Sequence, residues 1–155
     1  MTAARDKRLD SINRTLTRIL RLSSSRATFA RQAAAADVSL SQPAYALLRI
    51  LIDDGPLPSS SLARTAHMDV AMATRQVNAM HDAGLVVRRP DPADGRVSLV
   101  AATKEGRRAA GALQEVRRHH LERALAGWTA ADLSDLDRLL ARFVADTTAT
   151  SFEDG

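Results

Sequence analysis

The sequence contains no cysteine. This absence excludes disulfide bonds, metal sites built on thiolates and the sensing of oxidants through a thiol. Aromatic residues are also scarce, at 3% of the chain, and much of its 45% hydrophobic content is alanine. A chain rich in alanine and leucine and poor in glycine favours helices that pack closely on one another.

The sequence also lacks a long hydrophobic run. It has no stretch of about 18 apolar residues, so no transmembrane helix is predicted. Its N-terminal residues include no apolar segment of signal-peptide length. Together with the absence of cysteine, these features favour a protein of the reducing cytoplasm.

Motifs of enzyme active sites are missing as well. We find no paired carboxylates, no nucleophile placed with a base and no glycine-rich phosphate loop. The four histidines, His67, His81, His119 and His120, have no ligand spacing with carboxylates. The sequence therefore predicts no catalytic residue, no metal site and no cofactor.

The chain has the length of one domain, 155 residues, and a net charge of +4. Residues 1–36 carry eight Arg or Lys against two Asp, whereas residues 126–155 carry two Arg against six acidic residues. A basic chain is compatible with a nucleic-acid partner. Arginine-rich helix faces that are simply solvated explain the same charge equally well.

Hydrophobic residues recur at helical spacing along most of the chain, which predicts six helices. The first runs from about Lys7 to Ala35, and its long apolar stripe is one that a partner subunit could bury. The second begins at Ser41, has Pro43 in its first turn and ends at Asp53. The other four are predicted at residues 58–67, 70–83, 104–127 and 130–147, with Asp69, Thr103 and Thr129 as capping residues.

The third and fourth predicted helices are joined only by Met68-Asp69, a tight connection typical of a helix-turn-helix. Ser59 is a candidate cap for the third helix. The fourth helix ends at Gly84, as expected for a glycine after the last turn. Its buried stripe is predicted to consist of Val70, Ala73, Val77 and Met80, and its opposite face of Met72, Arg75, Gln76 and Ala79.

Two short strands, Leu85–Arg89 and Val97–Val100, follow this helix and enclose a polar loop. In the loop, Asp94 is close enough to Arg96 to hold its guanidinium by a bidentate pair. A helix-turn-helix followed by such a ribbon is the winged-helix arrangement. Its second helix fits the major groove of B-DNA, and its ribbon can reach phosphates or the adjacent minor groove. An ordinary hairpin with a surface ion pair explains the loop when it is taken alone.

Several short segments occur in a specific order: Leu47–Leu51, Gly55-Pro56 before Leu62-Ala63, Thr74-Arg75, Ala83–Val86, Asp91–Arg96 and Leu99–Gly106. Each segment is common, but the ordered set resembles the MarR family of bacterial transcriptional regulators. The resemblance covers nearly the whole chain, from Leu16 to about Val144.

The resemblance implies a homodimer whose interface is formed by the first, fifth and sixth predicted helices. It implies a single domain over residues 1–155, with a winged-helix lobe at 41–103 and dimerisation helices at 1–36 and 104–147. Residues 70–83 would be the recognition helix, and Arg96 would contact DNA from the wing. A small-molecule site would lie between the dimerisation helices and the lobe, where a ligand alters the spacing of the two recognition helices.

The sequence departs from the family pattern early in the recognition helix, where Ala71 and Met72 replace the usual Ser or Thr. Base reading would then depend on neighbouring residues, on methyl contacts and on DNA shape. Ser60 could contact phosphate at a helix N-terminus, and at most one of Arg88 and Arg89 should point toward DNA. The candidate DNA-contacting residues are Ser60, Met72, Thr74, Arg75, Gln76, Asn78, Arg88, Asp94 and Arg96.

The sequence is thus interpreted as a mainly helical winged-helix homodimer that binds double-stranded DNA at a pseudo-palindromic operator and acts as a ligand-responsive repressor. The alternative is a winged-helix module that binds another protein and does not read DNA, since Ala71, Met72 and Ala73 make the recognition helix weakly polar. The dependence of affinity on salt distinguishes the two, because phosphate contacts predict a steep fall.

Overall fold

The computed structural model of the protein describes residues 2–150. Over this range the fold is mainly helical, as predicted, and none of the described helices is long and apolar enough to cross a membrane. The elements, in order, are α1 (Thr2–Ser23), α2 (Arg26–Ala35), α3 (Gln42–Asp53), β1 (Leu57–Pro58), α4 (Ser59–Thr65), α5 (Val70–Asp82), β2 (Val86–Pro90), β3 (Ser98–Ala102), α6 (Lys104–Ala124) and α7 (Ala130–Ala149).

The prediction of one continuous helix from about Lys7 to Ala35 is wrong, because the structure has two helices, α1 and α2, in this region. The break falls in a run of three serines. Ser25 is the N-cap of α2, and its hydroxyl accepts a hydrogen bond from the Thr28 N–H at 3.2 Å. Serine competes for backbone hydrogen bonds in this way, which ends one helix and starts another.

The core is formed mainly by α3, α4, α5 and the sheet, with contributions from α2 and α6. Leu47, Leu48 and Leu51 of α3 are completely buried, as the sequence predicts. They are joined by Leu62 of α4, Val77 and Met80 of α5 and Leu113 of α6. The predicted second helix, with Ser41 as its N-cap and Pro43 in its first turn, is confirmed.

The α2 helix adds an aromatic cluster to this core. The rings of Phe29 and Tyr45 are both buried, and their centroids lie 6.0 Å apart. The Arg117 guanidinium covers them, 4.7 Å from the centroid of Tyr45 and 5.8 Å from that of Phe29. Its Nε donates to Gln32 at 3.0 Å. The arginine thus joins α6 to α2 and α3 through a cation–π contact and a hydrogen bond.

The ribbon predicted to be two-stranded is a three-stranded sheet of order β1-β3-β2, with both pairings antiparallel. The added strand, β1, is only two residues long, too short to show the alternating pattern by which a strand is predicted. In the β2–β3 pair, Arg88 lies opposite Val100 and Arg89 lies opposite Leu99. The two arginines therefore point to opposite faces of the sheet.

The start of α6 is fitted closely against the beginning of β2. The Thr103 hydroxyl donates to the Gly84 carbonyl at 2.7 Å and accepts from the Gly106 N–H at 3.0 Å, so the predicted cap is confirmed. A Cβ atom at Gly106 would overlap the carbonyl oxygen of Leu85. Glycine is therefore required at this crossing of helix and strand.

The chain divides into two compact units, Met1–Arg117 and Arg118–Gly155. In the second unit, Thr129 and Asp132 form the predicted capping box of α7: the Asp132 N–H donates to Thr129 Oγ1 at 3.1 Å, and the Thr129 N–H donates to Asp132 at 2.9 Å. None of the residues that the structure describes in α7 is buried. Leu139, Leu140 and Val144 are half or more exposed.

Candidate nucleic-acid interface

Helices α4 and α5 pack against each other as a helix-turn-helix. The turn passes through His67, whose φ of 49° lies in the left-handed region. Asp69 is the N-cap of α5, as predicted, and accepts from the Met72 N–H at 2.9 Å. The predicted place of Val70 in the buried stripe is wrong, since this residue is 57% exposed. The helix meets the core only from Ala73 onward.

Three polar residues share the outward face of α5. Thr74, Arg75 and Asn78 are all exposed, and their spacing puts them on one side of the helix. The Thr74 hydroxyl donates to the Val70 carbonyl at 2.8 Å. Among the described residues, Arg75 has no hydrogen-bond or ion-pair partner. Its donors are therefore available to a base edge or a phosphate.

Asn78 connects this face with the ribbon. Its Oδ1 accepts a hydrogen bond from Arg88 Nη2 at 2.6 Å. Of the two adjacent strand arginines, Arg88 is thus the one directed toward α5. The contact brings a second guanidinium to the outward face of α5 and joins the strand to the helix.

Asp94 and Arg96 form the predicted ion pair in the loop of the ribbon. Arg96 Nε lies 3.2 Å from Asp94 Oδ1, Nη2 lies 3.4 Å from Oδ2, and the Arg96 N–H donates to Oδ1 at 3.1 Å. The side-chain and then the backbone hydrogen bonds from Arg96 lower the pKa of the Asp94 carboxyl below its usual 3.8. The Arg96 side chain is 92% exposed. The pair therefore presents an oriented cation to solvent.

Ser60 lies in the first turn of α4 and is exposed. The N-cap of this helix is Pro58, and no side chain caps it, so the capping role expected of Ser59 is wrong. The reason is that Leu57 and Pro58 pair with β3 and lead directly into the helix.

Met72 and Gln76, predicted on the face of α5 opposite its buried stripe, line a cavity of about 600 Å³. The other walls come from the junction of α1 and α2, from α3 and from the turn before α5. Phe29, Leu40 and Pro43 contribute apolar surface, and Arg26 contributes a guanidinium. The outward side of α5 thus carries Arg75 and Asn78, with Arg88 bonded to Asn78. Met72 and Gln76 instead face the cavity.

The family resemblance implied a small-molecule site between the dimerisation helices and the lobe, but sequence reasoning did not identify the residues that line this cavity, because they come from several separate segments. The signal available was weak: Leu40 and Met68 are apolar residues in connections, outside the stripe of any helix. Both are partly buried against the core. Such residues can line a crevice or fill a core, and a sequence does not distinguish the two.

Gln76 makes a contact that links α5 to α3. Its Oε1 accepts a hydrogen bond from the Ser41 hydroxyl at 2.8 Å. The same hydroxyl, as the N-cap of α3, accepts from the Ala44 N–H at 3.2 Å. A second cavity, of about 140 Å³, is also lined by Ser41 and Gln76. The hydrogen bond therefore borders both cavities.

Comparison with known proteins adds sequence relatives. The profile of the MarR family matches residues 40–98. The HTH-type transcriptional regulator YxaD of Bacillus subtilis is 35% identical over 121 residues, which cover 74% of this chain and 85% of that protein. The HTH-type transcriptional repressor IacR of Pseudomonas putida is 33% identical over 103 residues, 66% of this chain and 62% of that protein.

Solved structures share the fold. A MarR family protein from Bacillus stearothermophilus matches with a TM-score of 0.78 and 19% identity, over 96% of this chain and 99% of that one. CouR from Rhodococcus jostii RHA1, solved bound to p-coumaroyl-CoA, matches with a TM-score of 0.64 and 23% identity, over 84% and 90% of the two chains. At these identities the likeness establishes the winged-helix fold.

Proposed function

The chain belongs to the MarR family and is a DNA-binding transcriptional regulator, and we propose that it is a homodimeric repressor that leaves its operator when an organic acid enters the cavity. The proposal has three parts, namely the surface that contacts DNA, the dimer that spaces two such surfaces, and the effector. The protein would act in the cytoplasm, which holds the bacterial chromosome.

The observation that carries the proposal is the outward polar face of α5 next to an oriented arginine in the wing. We place α5 in the major groove, where Arg75 reaches a base edge or phosphate and Thr74 and Asn78 add contacts. Arg96, oriented by Asp94, suits the narrow and electronegative minor groove. Ser60 and Arg88 are assigned to contacts with phosphates. Such contacts position the protein on DNA without reading the base sequence. Met72 and Gln76, the two remaining candidates, line the cavity.

Dimerisation is supported by apolar side chains that one chain leaves uncovered. Leu9, Ile12 and Ile19 of α1 and Leu139 and Leu140 of α7 are each about half exposed. Rows of this kind are covered by another surface in a stable protein. A second copy of the chain would cover them and place two α5 helices about 34–36 Å apart, one turn of DNA, so that a pseudo-palindrome is read. The predicted lobe at residues 41–103 and the dimerisation helices at 1–36 and 104–147 belong to this part of the proposal.

The effector part is supported by the chemistry of the cavity. Its walls are mostly apolar, and Arg26 is the one charged side chain among the described residues that line it. Such a lining suits an apolar molecule with one anionic group. CouR, which shares the fold, was solved with p-coumaroyl-CoA, and the relative IacR is a repressor.

The first experiment is a fluorescence-anisotropy titration of the intergenic DNA beside the gene for this protein, over a salt series and with random DNA as competitor. We expect tight binding that weakens steeply with salt and that random DNA does not displace. Binding that is no tighter than to random DNA and insensitive to salt would instead support the protein-interaction module.

The effector is tested on the complex so formed. We expect p-coumarate, an aromatic acid with one anionic group at neutral pH, to release the DNA at concentrations at which the Arg26→Met variant retains it. Release of both proteins at the same concentration would contradict the assignment of Arg26 to the anionic group.

A further inference from the structure

Gln76 differs from the other polar residues of α5. Thr74, Arg75 and Asn78 are exposed on the outward face, whereas Gln76 is half-buried and faces the two cavities. Its side-chain oxygen already accepts a hydrogen bond from the Ser41 hydroxyl at 2.8 Å. Bidentate reading of adenine requires both the oxygen and the nitrogen of an amide side chain. Gln76 therefore has a defined partner inside the protein before any DNA is bound.

The partner of Gln76 is rigidly placed. Ser41 is the N-cap of α3, and its hydroxyl accepts from the Ala44 N–H while it donates to Gln76. Ala44 and Tyr45, the residues that follow in this first turn, are buried in the core. The hydrogen bond thus attaches α5, the proposed recognition helix, to α3, the helix of the lobe with the most buried residues.

The hydrogen bond also lies between two spaces of very different size. The cavities of about 600 Å³ and 140 Å³ share Leu40, Ser41 and Gln76 as lining residues. These three residues therefore form a wall that the two cavities share, and the Ser41–Gln76 hydrogen bond is part of that wall. A molecule bound in either cavity would lie beside the contact between α3 and α5.

We propose that Gln76 is a positioning residue for DNA binding rather than a base reader. Its hydrogen bond from Ser41 holds α5 in the position that binds DNA, and an effector that extends into the smaller cavity breaks this bond and frees the helix. The part that concerns the effector depends on the proposed function. The part that concerns DNA affinity is tested without any effector.

The test measures operator affinity by fluorescence anisotropy for Gln76→Met, Ser41→Gly and the double variant. Methionine keeps the side-chain volume but loses the acceptor, and glycine loses the donor while it remains an acceptable N-cap. We expect each single variant to bind the operator about twofold to tenfold more weakly, the scale of one net hydrogen bond. The double variant should lose no more than a single variant, because both changes remove the same bond.

Base preference separates the two roles of Gln76. Each variant is titrated against operator duplexes in which single base pairs are replaced. If Gln76 positions α5, Gln76→Met and Ser41→Gly weaken binding to every duplex by the same factor. Ser41→Thr keeps the hydroxyl and should therefore retain wild-type affinity. If Gln76→Met abolishes discrimination at one base pair, or if the losses of the two single variants add, the proposal is overturned.

Ser25→Gly is the matched control. Ser25 caps α2 by a hydrogen bond of the same 3.2 Å length, and its hydroxyl makes no hydrogen bond to α5 among the described residues. We expect this variant to keep operator affinity. An equal loss in Ser25→Gly would show that helix capping explains the effect and would overturn the proposal. Failure of the wild-type protein to bind any operator would be a distinct result, which overturns the proposed function together with the role of Gln76.

Discussion

Helices α3 and α7 both have amphipathic sequences, but the leucines of α3 are buried and most of those of α7 are exposed. Leu47, Leu48 and Leu51 of α3 are 0% exposed, whereas Leu139 and Leu140 of α7 are half exposed. Both sets recur at the spacing of an amphipathic helix. The periodicity therefore shows that each helix requires an apolar neighbour, but not whether that neighbour belongs to the same chain.

The difference implies that two kinds of stability can be separated in this protein. The winged lobe obtains its core from α3, α4, α5 and the sheet within one chain. The apolar faces of α1 and α7 are proposed to obtain theirs from a second copy. Substitutions in the first region should change folding, and substitutions in the second should change association.

The largest effect is expected from Leu48→Ala. The side chain is completely buried, so the variant should lose about 2–5 kcal/mol of unfolding free energy through lost transfer energy and a cavity. Leu140→Ala, the matched change on α7, should instead raise the dimer dissociation constant. Urea denaturation measures the first effect and sedimentation velocity the second. Unchanged association of Leu140→Ala would remove α7 from the dimer interface.

A smaller loss is expected from Gly106→Ala, which tests how closely α6 approaches the lobe. The added Cβ overlaps the Leu85 carbonyl oxygen, and overpacking of this kind costs about 1–3 kcal/mol. Gly111→Ala is the control on the same helix, since a Cβ there meets nothing within 4 Å. It should stabilise the protein by up to about 1 kcal/mol. Thermal unfolding that shifts in the same direction for both variants would contradict the close approach.

Arg96→Ala should affect DNA binding and leave folding intact, because its side chain is almost fully exposed. We expect operator affinity to fall by about 1–3 kcal/mol, the scale of a good specific contact. Arg18→Ala removes the same charge from exposed α1 and should leave the affinity nearly unchanged. Equal losses for the two variants in an anisotropy titration would show that only net charge matters, and would exclude a specific role for the wing.

The smallest effect concerns two carboxyls, one in each region. Hydrogen bonds from Arg96 lower the pKa of Asp94, and hydrogen bonds from Thr129 lower the pKa of Asp132, both from 3.8. A lowered folded-state pKa means that the stabilisation is present above the usual pKa and is lost as the pH falls through the lowered value. An NMR titration should find both midpoints below 3.8.

The two carboxyls should also respond differently to added salt. The partner of Asp94 is an exposed guanidinium, so added salt should return its midpoint toward the usual value. The partners of Asp132 are the hydroxyl and N–H of Thr129, which carry no net charge, so its midpoint should respond less. Equal responses would mean that the wing pair is not ionic in character.

Residue type and spacing alone were enough for four of the five predicted N-terminal helix caps, Ser59 being the exception, and for the wing pair. Ser41, Asp69, Thr103 and Thr129 each accept a hydrogen bond from an N–H three residues later. Asp94 and Arg96 are two residues apart. The break at Ser25 is equally local, but it was missed because apolar spacing continues through it at Ala27 and Ala30. Periodicity reports an average over several turns and does not show one interrupted hydrogen bond.

The helical class, the helix-turn-helix, the wing and the family could all be predicted from the sequence, because these depend on partners within a few residues and on the order of short motifs. The structure was needed to show that Met72 and Gln76, on the predicted outer face of α5, line a cavity. It brought Ser41 to Gln76 across 35 residues of sequence and Gly106 to Leu85, and it added β1 to the sheet. These contacts depend on how separate elements pack, and the spacing of residues along one element carries no information about a neighbour that approaches from another part of the chain.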